Sequence, residues 1–235
     1  MKFHDEKMIL PAFPRTPHLS FSTNISPDDV IASEKETDTI FSHQITIEEK
    51  IDGASVGMTL HEKEPLIRNR EHILRKGYVK ETAAKKQFAS IWNWFYQNKE
   101  KFENLRELGS FCIYGEWCFA RHGIAYTKLP DYFIAYDIYD YEKDLFLPSP
   151  NSRSILTELG FSIPKLFFQG EFNEGYKNLT NLSEFQSEWA DEKVEGIYIK
   201  LFDEEKITSR FKLVRNDFVR GKYWDSKKIT KNQTT

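Results

Sequence analysis

Between Ile45 and Met58 the chain reads Ile-Thr-Ile-Glu-Glu-Lys-Ile-Asp-Gly-Ala-Ser-Val-Gly-Met. Apolar and polar residues alternate, pause at a glycine and resume in a second alternating run. Period-two patterning of this kind is the mark of strands with one face buried, and Gly53 offers a place to turn. The stretch therefore asks for a sheet and sets Lys50-Ile51-Asp52-Gly53 at a strand end. A lysine so placed suits covalent chemistry. An amine is a nucleophile only when unprotonated, and a free lysine has a pKa of about 10.4. Nearby cations or a bound metal lower that value. Gly53 lets a phosphate come close to the backbone. Four residues alone describe a surface lysine before a hairpin turn equally well, so the rest of the chain has to decide.

Residues 1–40 read as an irregular arm broken by Pro11, Pro14, Pro17 and Pro27, with a short helix starting at Ser26-Pro27. Strands are expected at 43–50 and 54–61, and a strand end enters a loop across 66–72. A helical stretch covers 80–108, broken near Asn98-Lys99. Its buried stripe is Ala84, Phe88, Ile91, Trp92 and Phe95, which makes Trp92 and Trp94 core residues. Further strands fall at 111–118, 132–139, 163–169, 194–200 and 209–215. Helices fall at 152–159, closed by Gly160, and at 182–190. Glu116 stands inside an apolar run, where a carboxylate needs a partner. No repeat or linker divides the chain. The reading is one mixed α+β domain over 1–235, with 1–40 as an arm and 216–235 as a basic tail.

Composition narrows the function. A net charge of −3 in 235 residues excludes a global field toward nucleic acid or membrane. Charge is local instead: nine Lys/Arg against two Asp/Glu from Lys206 onward, and seven against two from Arg68 to Lys86. Such runs are solvated faces or phosphate-binding rims. Cys112 and Cys118 share a strand, too far apart to bridge, and do not resemble a zinc site. They read as reduced packing residues of a cytoplasmic protein. No signal peptide or membrane span is expected.

Five elements stand in order: K-x-D-G at 50–53, R-N-R at 68–70, Y-G-E at 114–116, E-G-I-Y-I-K at 195–200 and F-K-L-V-R at 211–215. Together they resemble the covalent nucleotidyltransferases that include polynucleotide ligases and mRNA capping enzymes. Ala120-Arg121-His122 after Gly-Glu, and the strand Tyr132-Phe133-Ile134-Ala135-Tyr136-Asp137-Ile138, narrow this to RNA ligases similar to the second RNA ligase of phage T4. Pro14-Arg15-Thr16-Pro17-His18-Leu19 and Tyr223-Trp224 are similar to a short bacterial and phage branch. The likeness spans residues 11–225.

The resemblance implies an ATP-grasp-like domain of antiparallel sheets flanked by helices. It implies that Lys50 attacks the α-phosphate of ATP and forms a lysyl-adenylate. AMP then passes to an RNA 5′-phosphate, and a 3′-hydroxyl displaces it. In that scheme Glu48 contacts the adenine edge, Tyr136 stacks on adenine, and Glu116 takes the ribose hydroxyls. Arg68, rather than Arg70, lies near the ribose and the RNA 5′-phosphate. Glu195 holds Mg²⁺ or Mn²⁺, and Lys200 and Lys212 hold phosphate oxygens and depress the pKa of Lys50. His18, His72 and His122 stay outside the catalytic set. The expected partners are RNA ends or a nicked duplex.

Two departures stand out. The second lysine of the last motif is replaced by Val214, and Arg215 falls on the opposite face of its strand. The chain also leaves no room for an OB or helical C-terminal domain, so a bare catalytic domain is expected, with a partner protein as one source of the missing contacts. Alternatives are a nick-sealing ligase on DNA or hybrids, a capping guanylyltransferase, and a non-catalytic RNA-end or nucleotide-binding module. An intact Lys50 argues against the last.

Overall fold

The structure, a computed structural model, describes residues 2–76, 86–225 and 227–235, and only the backbone of residues 2–5. Two antiparallel sheets organise the described residues. The four-stranded sheet runs β7(Leu166–Glu171)–β1(Gln44–Glu49)–β8(Gly196–Phe202)–β9(Ile207–Val214). The five-stranded sheet runs β3(Glu64–Asn69)–β2(Ala54–His61)–β4(Phe111–Trp117)–β5(Phe133–Asp140)–β6(Leu145–Phe146). The expected α+β architecture of antiparallel sheets with flanking helices is therefore present.

The strands around Lys50 do form, but not as a hairpin. β1 pairs with β7 and β8, whereas β2 pairs with β3 and β4. Lys50–Gly53 is thus the crossing from one sheet to the other. Alternation fixes which residues face inward along a strand and says nothing about its partner. Gly53 is required there by close approach: a Cβ would lie 3.0 Å from the Trp117 carbonyl oxygen and 3.1 Å from Cys118 Sγ. The hairpin is β2–β3 instead, turning through Glu62 and Lys63 with φ of 49° and 70°.

Parity divides the four-stranded sheet. Ile45, Ile47, Ile197, Ile199, Phe211 and Leu213 pack on one face, with Leu19 and Ile40 from the arm. Glu48, Tyr198, Lys200 and Lys212 share the other face, Glu48 opposite Tyr198 and Tyr198 opposite Lys212. The five-stranded sheet buries Val56, Met58, Ile113, Trp117 and Phe133 against two helices, α3(Ile91–Gln97) and α4(Lys99–Leu108). These helices meet at Asn98, as expected, and Trp92 and Trp94 are buried in that core. Ala84 and the first residues of the expected stretch lie outside the described residues.

Some boundaries differ from expectation. The arm holds α1(Lys2–Ile9) and α2(Glu34–Asp38), the latter with a Ser33/Glu36 capping box. Ser26–Asp29 is a turn and not a helix start, because Asp29 folds back onto the Ser26 amide. α5(Ser149–Glu158) forms near the expected place and is followed by Gly160 at φ +72°. The helix expected at 182–190 is displaced to α6(Tyr176–Leu182). Residues 185–194 are instead held by non-helical pairings, Val194 N–H to the Phe185 carbonyl and Ala190 to Tyr126. Tertiary pairing outweighs the local helical pattern.

Candidate active site

Lys50 reaches its position through backbone pairing. Its N–H donates to the Gly196 carbonyl at 3.0 Å, and the Arg215 N–H donates to the Glu195 carbonyl at 3.0 Å. These bonds align the end of β1 with the start of β8 and bring Lys50 Nζ to 2.6 Å from Glu195 Oε2. Gly196 lets β9 pack close to the start of β8, since a Cβ there would meet the Leu213 carbonyl oxygen at 2.0 Å. Asp52 secures the other side. Its Oδ2 accepts from Gly123 N–H at 2.6 Å and Ile124 N–H at 2.8 Å, and its own N–H donates to Tyr126 Oη at 2.9 Å. The acid of the K-x-D-G stretch therefore anchors the loop after β4.

Two adjoining cavities share Lys50, Arg70 and Lys212 as walls. The first, about 730 Å³, is lined by Glu48, Ser55, Glu116, Tyr136 and Tyr198, with Phe13 and Pro14 from the arm. The Tyr136 and Tyr198 rings lie 6.2 Å apart at 25°. The second, about 970 Å³, is lined by Asp52, His122, Glu195, Phe218, Arg220 and Trp224. An apolar-walled slot with convergent polar groups, opening beside a lysine, is the usual form of a nucleotide site.

Carboxylates dominate the electrostatics around the lysine. Burial would lower the Lys50 pKa, but Glu195, Glu116 and Asp52 outweigh it and the net shift is upward. The expectation that Lys200 and Lys212 depress it is thus not met by the protein's own charges. Glu116 Oε2 is out of contact with solvent and has no hydrogen-bond donor. Burial pushes that carboxyl up to about 8. Lys212 Nζ sits 2.8 Å from Asp29 Oδ1, and burial lowers its pKa. Burial would raise Asp29, but hydrogen bonds from Lys212, the Ser26 amide and Arg220 hold it well below the usual carboxylate range. His18, buried beside them, is pushed down to about 4, first by desolvation and then by Lys212.

The RNA ligase family description matches residues 43–214. That span carries β1 through β9 and every residue just placed around Lys50 except Arg215 and those of the arm and tail. The chain belongs to the RNA ligase family. Among solved structures it resembles an alanine variant of Naegleria gruberi RNA ligase with ATP and Mn, at TM-score 0.60 and 18% identity, over 86% of this chain and 60% of that one. Naegleria gruberi RNA ligase with PPi gives TM-score 0.58 and 19% identity, over 88% and 61%. A further variant of that ligase, apo, gives 0.59 and 18%, over 77% and 52%. The chain thus spans between half and three fifths of the length of these ligases. No curated protein matches it.

Of the residues expected at the ligase site, Lys50, Glu48, Glu116, Tyr136 and Lys212 line the first cavity, and Glu195 joins Lys50 in the second. Glu48 and Glu49 both border the first cavity; parity sets Glu48 on the face of Tyr198 and Lys200, where its oxygens take Arg153 and Lys200, both at 2.7 Å, whereas Glu49 Oε1 accepts from Ser187 Oγ at 2.7 Å. Two expected residues lie elsewhere. The Arg68 guanidinium is buried, donating to the Leu10 carbonyl at 2.8 Å and the Asn69 carbonyl at 3.1 Å, and Arg70 lines both cavities instead. Lys200 is fully buried, 2.8 Å from Asp137 and 2.9 Å from the Tyr136 carbonyl, so it ties the two sheets together and does not face the phosphate space. Arg215 turns to the Val194 carbonyl and Asp217.

Tyr198, Asp29 and Arg220 were not anticipated. Tyr198 was legible, since it shares strand parity with Lys200 of the same motif. Asp29 and Arg220 carried no local signal because they meet across 191 residues.

Among the described residues no group of three His, Cys, Asp or Glu side chains forms a ready-made metal cage. Glu195, with Glu116 and its undonated Oε2, offers one or two carboxylates. That donor set fits Mg²⁺ or Mn²⁺ held largely by phosphate and water.

Proposed function

We propose that this RNA ligase family member is an ATP-dependent RNA ligase working through a lysyl-adenylate on Lys50. The observation that carries the reading is the placement of Lys50 Nζ between a nucleoside-sized slot and a cation-lined cavity, 2.6 Å from Glu195. The first cavity takes the nucleoside. Tyr136 offers a ring face to the base, Glu48 keeps lone pairs for its exocyclic amine, and Glu116 accepts from the ribose hydroxyls. The α-phosphate then lies at Lys50, with Lys212 and Arg70 beside it.

The Lys50 ammonium must lose a proton before it attacks. Glu195 is the nearest acceptor. The nitrogen forms a bond to the α-phosphorus, the bond to the bridging oxygen breaks, and pyrophosphate leaves with its charge partly offset by Lys212 and Arg70. A divalent cation at Glu195 supplies charge neutralisation of the phosphates. In the second step the 5′-phosphate oxygen of an RNA strand attacks the same phosphorus and Lys50 leaves, taking up a proton. A 3′-hydroxyl then displaces AMP.

The Naegleria gruberi enzyme has been solved with ATP and Mn and with PPi; use of the same nucleotide, metal and product by this chain is our inference. Incubation with α-labelled ATP and Mg²⁺, then denaturation, should leave acid-labile label on the protein. Label from GTP alone would point to capping chemistry, and no label from either to a binding module. Sealing of nicked RNA, DNA and hybrid duplexes then ranks the substrates.

A further inference from the structure

The ligase reading uses the first cavity fully and the second only through Glu195 and its cations. The second cavity is the larger, and it has an aromatic wall that a departing pyrophosphate would not use. That wall comes from outside residues 43–214. Trp224 is half-buried, its ring set edge-on to His122 at 4.9 Å and 76°. Its backbone is fixed by Trp224 N–H to the Gly221 carbonyl and Tyr223 N–H to the His122 carbonyl, at 2.9 and 2.7 Å.

The charges of the cavity favour an anion. Asp52, Glu195 and Asp29 are already bonded to backbone amides, Lys50 and Lys212 respectively. Arg70 is exposed and makes no ion pair among the described residues, yet it lines both cavities. A free cation beside Lys50 and an indole at the far wall match a phosphate joined to a nucleobase.

We propose that this cavity binds the 5′-phosphorylated terminal nucleotide of the RNA strand, with Trp224 as the platform for its base and Arg70 as the contact for its phosphate. The proposal rests on the ligase reading and locates its second substrate. The phosphate oxygen meets the adenylate phosphorus from the side opposite the nucleoside slot; the new P–O bond forms as the P–N bond to Lys50 breaks, and Lys50 takes a proton.

The test is single-turnover transfer of AMP from isolated protein–AMP to a 5′-phosphorylated RNA oligonucleotide. Stacking of one base is worth about tenfold or more in rate or affinity. Trp224→Ala should slow transfer by about that factor, with a much smaller change in lysyl-adenylate formation, and Trp224→Phe should restore most of it. An RNA whose first nucleotide is abasic should be a poor acceptor for the parent protein and no worse for Trp224→Ala. Equal transfer by parent and Trp224→Ala, or an equal loss on normal and abasic RNA, would overturn the proposal. If the parent takes no label at all, the ligase reading fails. Anisotropy of a fluorescein-labelled 5′-phosphorylated RNA then judges the site alone, and equal affinity of parent and Trp224→Ala rejects it.

Discussion

At the scale of single residues, the site is an ammonium set among acids. Lys50 Nζ lies against Glu195, with Glu116 and Asp52 adding negative field, and together they hold the amine's pKa above its usual value. Lys50→Ala should abolish label from ATP, a loss of roughly a thousandfold or more, since no other side chain can replace the nucleophile; persistent acid-labile label in that variant would refute covalent catalysis at Lys50. Burial also shapes stability. Glu49 is raised to about 7, so its contribution is whole below about 4.5 and disappears as pH rises through 7. His18, pushed down to about 4, behaves oppositely: its contribution is whole above about 6.5 and is lost as pH falls through 4. Glu49→Gln should therefore gain stability over the parent at pH 8 relative to pH 5, by on the order of 3 kcal/mol at most, seen as a higher melting temperature at the higher pH. A thermal-shift series over that range reads it, and a pH-independent difference would contradict the buried-acid account.

At the scale of elements, strand parity decides roles that motif spacing leaves open. The E-G-I-Y-I-K strand displays Tyr198 and Lys200 on one face, but the five-stranded sheet packs over Lys200 and claims it. Lys200 holds Glu48 of β1 and Asp137 of β5, and Arg210 also reaches Asp137 at 3.1 Å. Removing one member of such a buried network leaves charges unpaired, and Lys200→Met should cost about 3–5 kcal/mol by chemical denaturation. A loss of AMP transfer with unchanged stability would instead return Lys200 to the phosphate site. The arm adds a second constraint. Asp29 holds both Lys212 and Arg220 at 2.8 Å. Asp29→Asn keeps the shape and removes the charge, so Lys212 should lose its fixed position and lysyl-adenylate formation should fall by about tenfold. Activity equal to the parent's would make Asp29 a bystander.

At the scale of the whole molecule, segments far apart in sequence close around Lys50. Asn232 is buried; it donates to the Cys118 and Ala120 carbonyls at 2.8 and 3.2 Å and accepts from Tyr126 N–H at 2.9 Å. The loop it pins supplies the amides that hold Asp52. Asn232→Ala should cost about 1–3 kcal/mol, read as a lower melting temperature; no change would show that the tail merely rests on the surface. Among the described residues no helix is long and apolar enough to cross a membrane.

Much of this was present in the linear pattern. Alternation marked β1 and β2, dense apolar runs marked β4 and β5, a carboxylate in one of those runs marked Glu116, and the ordered motifs named Lys50, Glu195 and Lys212 together. Those signals are local, written by side-chain periodicity and by residue types that only certain chemistry needs. Pairing is not local. That Lys50 crosses between sheets, that Arg70 and not Arg68 faces the cavities, that Lys200 is a clamp, and that Asp29, Arg220 and Trp224 arrive from the two ends were decided only when the chain closed. Contacts across 191 residues leave no periodic trace along the sequence, because what selects them is the packing of whole sheets and the need to pair every buried charge.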